Sequence, residues 1–123
     1  MIIKGGRVIA LGYNGPPIKV SHECLENNKC LIADQKIGEG LDKCPAVHAE
    51  QNAIANAARN GISIKNSIMY TTTRPCIHCI KIIINAGIKK IFYLKDYKHD
   101  SLYDKLIDES GLILEQIKMG DKI

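Results

Sequence analysis

The residues best equipped for chemistry fall in two clusters, Cys44-Pro45-Ala46-Val47-His48-Ala49-Glu50 and Pro75-Cys76-Ile77-His78-Cys79. Two cysteines three apart in the first turn of a helix can point their sulfurs at one cation. The positive end of that helix favours their thiolate forms. One nitrogen ligand added to them makes a tetrahedral zinc site with a position left open for water. His48 also falls at a predicted helix start, so two helix N-termini can converge on the ion. Glu50, two residues further on, need not bind metal to serve it. A carboxylate there can take a proton from the water and hand it to a leaving group. Either cluster alone is a weak signal, since most His-x-Glu pairs are solvated helix residues and a solitary Cys-x-x-Cys also fits redox chemistry or burial. Joined, they point to metal-assisted hydrolysis. His78, between the two cysteines, reads as a surface residue.

The surrounding pattern predicts how these groups are positioned. Met1–Lys4 and Arg7–Gly12 are short apolar runs about Gly5-Gly6, a tight hairpin. Residues 13–47 show no sustained period, and so long an irregular connection is usually functional or pinned by metal. A helix is predicted from Val47 to Asn60, with Ala49, Ala53, Ile54, Ala57 and Ala58 as its apolar stripe. Ser67–Thr72 reads as a strand, Cys76–Ala86 as a helix, Ile88–Leu94 as a strand, Leu102–Glu109 as a helix and Leu112–Ile117 as a last strand. Such alternation implies parallel pairing with right-handed crossovers. With the hairpin it makes an α/β fold on a five-stranded mixed sheet, and one domain over residues 1–123.

Composition narrows the classes. The chain has 123 residues, 46% of them hydrophobic and 24% charged, with one Phe and no Trp, so its core rests on Ile and Leu. No apolar run approaches the ~18 residues of a membrane span. Membrane, secreted-toxin, collagenous and disordered classes are excluded. The net charge of +4 comes from 17 scattered basic residues with Lys89-Lys90 as the one basic doublet. Without a basic stripe this argues against nucleic acid as a partner and suits a small anionic substrate. Five cysteines with no evident signal peptide argue for a reducing, cytoplasmic compartment.

His-x-Glu followed by Pro-Cys-x-x-Cys is the signature of zinc nucleobase deaminases, and the chain resembles the cytidine and deoxycytidylate deaminase superfamily. Gly12-Tyr13-Asn14-Gly15-Pro16-Pro17, Val47 to Ile54 and Ile83 to Ile88 are similar to its deoxycytidylate branch. The likeness spans most of residues 2–97. It implies a three-layer α/β/α fold and hydrolytic deamination of dCMP to dUMP and ammonia. His48, Cys76 and Cys79 would hold Zn2+, with Glu50 as the proton carrier. Asn14 would meet the deoxyribose or base, the Ala49 backbone the pyrimidine edge, and Tyr97 would lie near the substrate. By its own chemistry Tyr-Asn-Gly-Pro also reads as a plain turn. The resemblance further implies a homo-oligomer, often a hexamer, with dCTP and dTTP as effectors and Mg2+ beside the nucleotide.

His22, Cys24, Cys30 and Cys44 are the right number for a second, structural zinc site. Some bacterial members look similar in this stretch, although His22-Glu23-Cys24 separates residues that are usually adjacent. Buried thiols and a surface histidine are the alternative. Two departures from the family stand out. It normally opens with an amphipathic helix before the first strand, absent from this sequence, so a shortened product or a covering subunit is expected. Arg74 occupies a position expected to be apolar or small, where a phosphate contact and a solvent-facing role are both open. Another deaminase of the same fold, acting on cytidine, guanine, a tRNA adenosine or a riboflavin precursor, is the nearest rival, and a competence-associated or otherwise inactive family member is a second. A catalytically inactive, zinc-stabilised binding module is the rival from another class, and the intact Glu50 counts against it.

Overall fold

The computed structural model describes residues 1–21, 36, 39–40 and 43–121. Strands β1 (Ile2–Lys4) and β2 (Arg7–Ala10) form the expected hairpin. Gly5 and Gly6 both have positive φ, 57° and 72°, the backbone that a two-residue turn between twisted strands requires. Helix α1 (Ala49–Arg59), strand β3 (Ile68–Thr73), helix α2 (Ile77–Asn85), strand β4 (Lys90–Lys95), helix α3 (Ser101–Ser110) and strand β5 (Ile113–Gln116) follow. The sheet order is β2-β1-β3-β4-β5. β1 is antiparallel to both neighbours, while β3, β4 and β5 run parallel. This is the five-stranded mixed sheet that the alternation of elements predicts, with boundaries moved by one or two residues. The α1 boundary matters most, because it makes His48 the N-cap and not a helical residue.

Register builds the core. Ala10 pairs with Ile2, Ile2 with Met69, Met69 with Ile91 and Ile91 with Leu114, so these side chains share one face of the sheet. Ala53 and Ala57 from α1, Ile80 and Ile83 from α2, and Tyr103 from α3 pack into the same cluster. Ile2, Ile80, Ile83 and Ile91 are fully buried, each worth about 1.5–3 kcal/mol of apolar transfer. All three described helices therefore share one face, as successive right-handed crossovers in one direction demand. Of the three layers expected, the described residues supply the sheet and one helical layer. The opposite face carries Val8, Ile3, Ile68, Tyr70, Phe92 and Ile113, with Val8 and Ile113 exposed. Tyr70 stacks on Phe92, and Lys90 Nζ lies over the Phe92 ring.

The chain leaving β2 runs against α1 more closely than any side chain would allow. A Cβ on Gly12 would come within 2.2 Å of Ala49 O and 2.4 Å of Ala53 N. Beyond it, Asn56 Nδ2 donates to Leu11 O at 2.7 Å and Asn52 Nδ2 to Tyr13 O at 2.8 Å. Val47 N donates to Gly15 O at 2.7 Å, closing residues 11–15 onto the start of the helix. Gly12→Ala pits a methyl group against helix backbone. It should destabilise the fold by at least the ~1–3 kcal/mol of overpacking and lower the thermal midpoint. An unchanged midpoint would mean that this approach is not required.

Candidate active site

Two helix N-termini meet at the C-terminal ends of β3 and β4, where open parallel sheets place their ligand sites. His48 is the N-cap of α1 and Cys76 the N-cap of α2, both in extended backbone, and Cys79 lies within the first turn of α2. The sequence pattern puts both cysteines inside the helix; the structure puts Cys76 just before it. His48 Nδ1 lies 3.3 Å from Cys79 Sγ and 3.5 Å from Cys76 Sγ. All three donor atoms fall within 4.8 Å of one another. A zinc ion with ordinary Zn–S and Zn–N bonds sets tetrahedral donors ~3.6 Å apart, so the trio fits a zinc ion with little adjustment. Two sulfurs and an imidazole are a zinc-selective set, and three donors leave a position open.

The two thiols are not equivalent. The one S–H of Cys79 is shared between Cys76 and Glu50 Oε2, and its bond to Cys76 pulls the Cys76 pKa down to about 4, with backbone N–H groups of Cys79 and His78 and the nearby His48 assisting. That same bond, with burial and the neighbouring Glu50 carboxylate, pushes the Cys79 thiol up. Cys76 is half-buried, and Cys79 is only 1% exposed. His78 is exposed and outside the donor set, as expected of it.

Glu50 stands at the edge of this trio. Its Oε2 accepts from Cys79 Sγ at 3.6 Å and its Oε1 from Thr71 Oγ1 at 3.0 Å. Thr73 O is a second acceptor for the same hydroxyl at 3.2 Å. A cavity of about 600 Å³ opens in front, lined by Asn14, His48, Ala49, Glu50, Cys76 and Tyr97 among others. Every residue expected at the catalytic centre or against the substrate thus reaches one place; Cys79 sits behind it. Asn14 and Ala49 meet each other, for the Ala49 N–H donates to Asn14 Oδ1 at 2.9 Å. Asn14 so caps α1 from outside, where the His48 side chain makes no capping bond, and Asn14 also lines the cavity. Burial and the Cys76 thiolate push the Tyr97 phenol up.

Sequence reasoning misses Thr71, Asn52, Asn56 and Tyr103. Tyr103 is 1% exposed and donates its hydroxyl to Pro75 O at 2.9 Å, bracing the residue before Cys76. Burial pushes its phenol up to about 12, so it stays a donor. Asn52 and Asn56, four apart on α1, carry a readable hint: polar side chains one turn apart on a helix whose stripe is otherwise alanine. His22, Cys24 and Cys30 lie outside the described residues, while Cys44 is a half-buried free thiol.

The family model described as the cytidine and deoxycytidylate deaminase zinc-binding region matches residues 1–95. The chain belongs to this family. It is 36% identical over 123 residues to ComE operon protein 2 of Bacillus subtilis, covering 99% of the chain and 60% of that protein. It is 37% identical over 118 residues to the deoxycytidylate deaminase of Schizosaccharomyces pombe, covering 94% of the chain and 36% of that enzyme. Among solved structures, the dCMP deaminase of cyanophage S-TIM5 in complex with dCMP and dUMP superposes with a TM-score of 0.71 at 28% identity. That match covers 94% of this chain and 77% of the phage chain. The chain spans roughly a third to three-fifths of the curated relatives just named. Its fold is the cytidine-deaminase-like one. Among the described residues no helix is long and apolar enough to cross a membrane.

A cation must displace the Cys79 proton to gain two thiolates. Zinc binding therefore releases protons, and its apparent affinity falls as pH falls. Competitive titration against a chromophoric chelator should show affinity rising about tenfold or more per unit between pH 6 and pH 8. A flat profile would contradict the assignment of these donors.

Proposed function

We propose that the domain formed by residues 1–123 hydrolyses dCMP to dUMP and ammonia, with His48, Cys76 and Cys79 as zinc ligands and Glu50 as the proton carrier. The observation that carries this is the Glu50 carboxylate, placed against the donor trio without belonging to it and open to the cavity. Relatives named deoxycytidylate deaminase, and the similar fold of a dCMP deaminase in complex with dCMP and dUMP, support the choice of substrate. Zinc held by the trio supplies a Lewis acid that makes water nucleophilic near neutral pH.

The chain's own residues do the rest. Glu50 accepts the proton of the water that attacks C4 of the cytosine ring and passes it to N3. It then carries the second proton of that water to the departing amine, so that C4 gains oxygen and loses ammonia. Thr71 fixes one carboxylate oxygen and leaves the other for this traffic. Asn14 and Tyr97 border the space in which the nucleoside lies.

Glu50→Gln should retain zinc while losing about 10²–10⁴-fold in kcat. Thr71→Val should lower kcat with KM and zinc content preserved, and Thr71→Ser should restore it. Ultraviolet absorbance loss on dCMP, with metal content measured alongside, reads all three. Near-normal turnover by Glu50→Gln would defeat the mechanism.

A second, structural zinc on His22, Cys24, Cys30 and Cys44 belongs to the same proposal, supported by the four donors in the sequence and the free Cys44 thiol. Elemental analysis should then find two zinc ions per chain, falling to one in a Cys24→Ser, Cys30→Ser double variant. One zinc in both proteins would remove that site. A cytoplasmic homo-oligomer answering to dCTP and dTTP with Mg2+ completes the proposal, resting on the family resemblance alone.

A further inference from the structure

Tyr103 carries a hydroxyl that packing alone does not need. Its side chain enters the core from α3 and is 1% exposed, and a Phe ring would fill the same space. The hydroxyl donates to Pro75 O at 2.9 Å. That carbonyl accepts no backbone N–H among the described residues, so the phenol is the group that satisfies it. Burial pushes the phenol up to about 12, which keeps its proton on this bond at any ordinary pH.

Arg74 holds the other side of the hydroxyl. Its guanidinium hydrogen-bonds Tyr103, so Tyr103 Oη accepts there while it donates to Pro75 O. A hydroxyl that accepts from a cation is the stronger donor for it. The Tyr103 and Tyr93 rings lie 4.9 and 5.6 Å from Cζ, and the Arg74 side chain is only 14% exposed. Nε is buried with no hydrogen-bond partner among the described residues. Enclosing a cation so incompletely paired costs stability, a cost that an apolar residue here would avoid.

Both side chains act on one peptide. Pro75 O belongs to the peptide unit that supplies the N–H of Cys76, the N-cap of α2 and a member of the donor trio. Cys76 stands in extended backbone, φ −70° and ψ 171°, ahead of the helical hydrogen bonds that would fix this peptide plane. Turning the plane swings the Cys76 side chain, whose sulfur lies 3.5 Å from His48 Nδ1. We propose that Tyr103, held by Arg74, is a positioning residue for Cys76, fixing through Pro75 O the direction in which that sulfur faces the metal. This rests on the assignment of zinc to His48, Cys76 and Cys79, and it needs no substrate.

The test measures zinc affinity by competition with a chromophoric chelator at neutral pH, the visible spectrum of the Co2+-loaded protein, and the thermal midpoint of the metal-free protein. It compares the wild type with Tyr103→Phe, Arg74→Met and Leu112→Ala. Tyr103→Phe should weaken zinc binding about 10- to 100-fold and move the Co2+ bands. Arg74→Met, one bond further away, should weaken it about three- to tenfold. Leu112→Ala removes a core contact beyond the far end of α3. It should lower the midpoint and leave zinc affinity within about twofold of the wild type. A folded Tyr103→Phe with the wild-type zinc affinity and Co2+ spectrum overturns the proposal. So does a Leu112→Ala that loses as much zinc affinity as Tyr103→Phe, since the loss then follows stability alone. Should Tyr103→Phe not fold, Arg74→Met decides: zinc affinity unchanged overturns it. A wild type that binds no zinc sinks the donor assignment and this inference with it, whereas a failure confined to the variants leaves the donors standing.

Discussion

Everything at this site depends on bringing one imidazole nitrogen within 3.5 Å of two sulfurs that lie about thirty residues further along the chain. Three soft donors held so close are a poor arrangement for a protein that binds nothing. The thiol of Cys79 keeps its proton and hydrogen-bonds Cys76, which is thereby favoured as a thiolate, so that a half-buried negative charge results. The fold accepts that charge because both donor helices point their N-termini at it, where unpaired N–H groups and the helix dipole stabilise an anion or a metal-bound thiolate. The parallel pairing of β3 with β4 aims α2 that way, and the packing of α1 beside α2 aims the other.

Around this fixed point the walls are held by polar side chains anchored on backbone, not by apolar contact. Asn52 and Asn56 reach from α1 to the carbonyls of residues 11–15, and Asn14 returns the favour by capping α1. A chain without regular structure is thereby tied to a helix through its own main chain, at about 0.5–1.5 kcal/mol of net stability per bond. Gly12 makes the closeness possible. Tyr103 does the equivalent on the opposite wall, bridging α3 to Pro75. Each tie ends within three residues of a residue that lines the cavity, so local packing becomes active-site geometry.

The donors and the sheet were legible because their signals are dense and local. Cys-x-x-Cys after a β-branched run, His-x-Glu at an alanine stripe, and strand alternating with helix all act within a dozen residues. What escaped are residues whose roles arise only when distant segments meet. Thr71 looks like one of three strand threonines until Glu50 is placed beside it. Tyr103 looks like an ordinary helix aromatic until Pro75 lies above its hydroxyl. Arg74 reads in the sequence as an oddity of position with phosphate contact and solvent exposure both open, and the rings that hold it come from β4 and α3. Helix ends were misjudged by one or two residues because capping positions share residue types with first turns, so Cys76 could be read on either side of the boundary.

The donor trio and the rest of the cavity wall are consequently held by different parts of the molecule. The donors sit at two helix starts whose helices pack into the core. Asn14 and residues 97–100 line the same cavity from segments outside the strands and helices. Arg74 lies on the seam between the two, hydrogen-bonded through its N–H to Lys95 O at the end of β4 and two residues before a metal donor. A charge at that point cannot be relaxed by solvent, since its side chain is enclosed, nor moved without shifting Pro75 and Cys76. The enclosed group is held instead between the Tyr93 and Tyr103 rings and by its hydrogen bond with Tyr103, with Nε left unpartnered among the described residues.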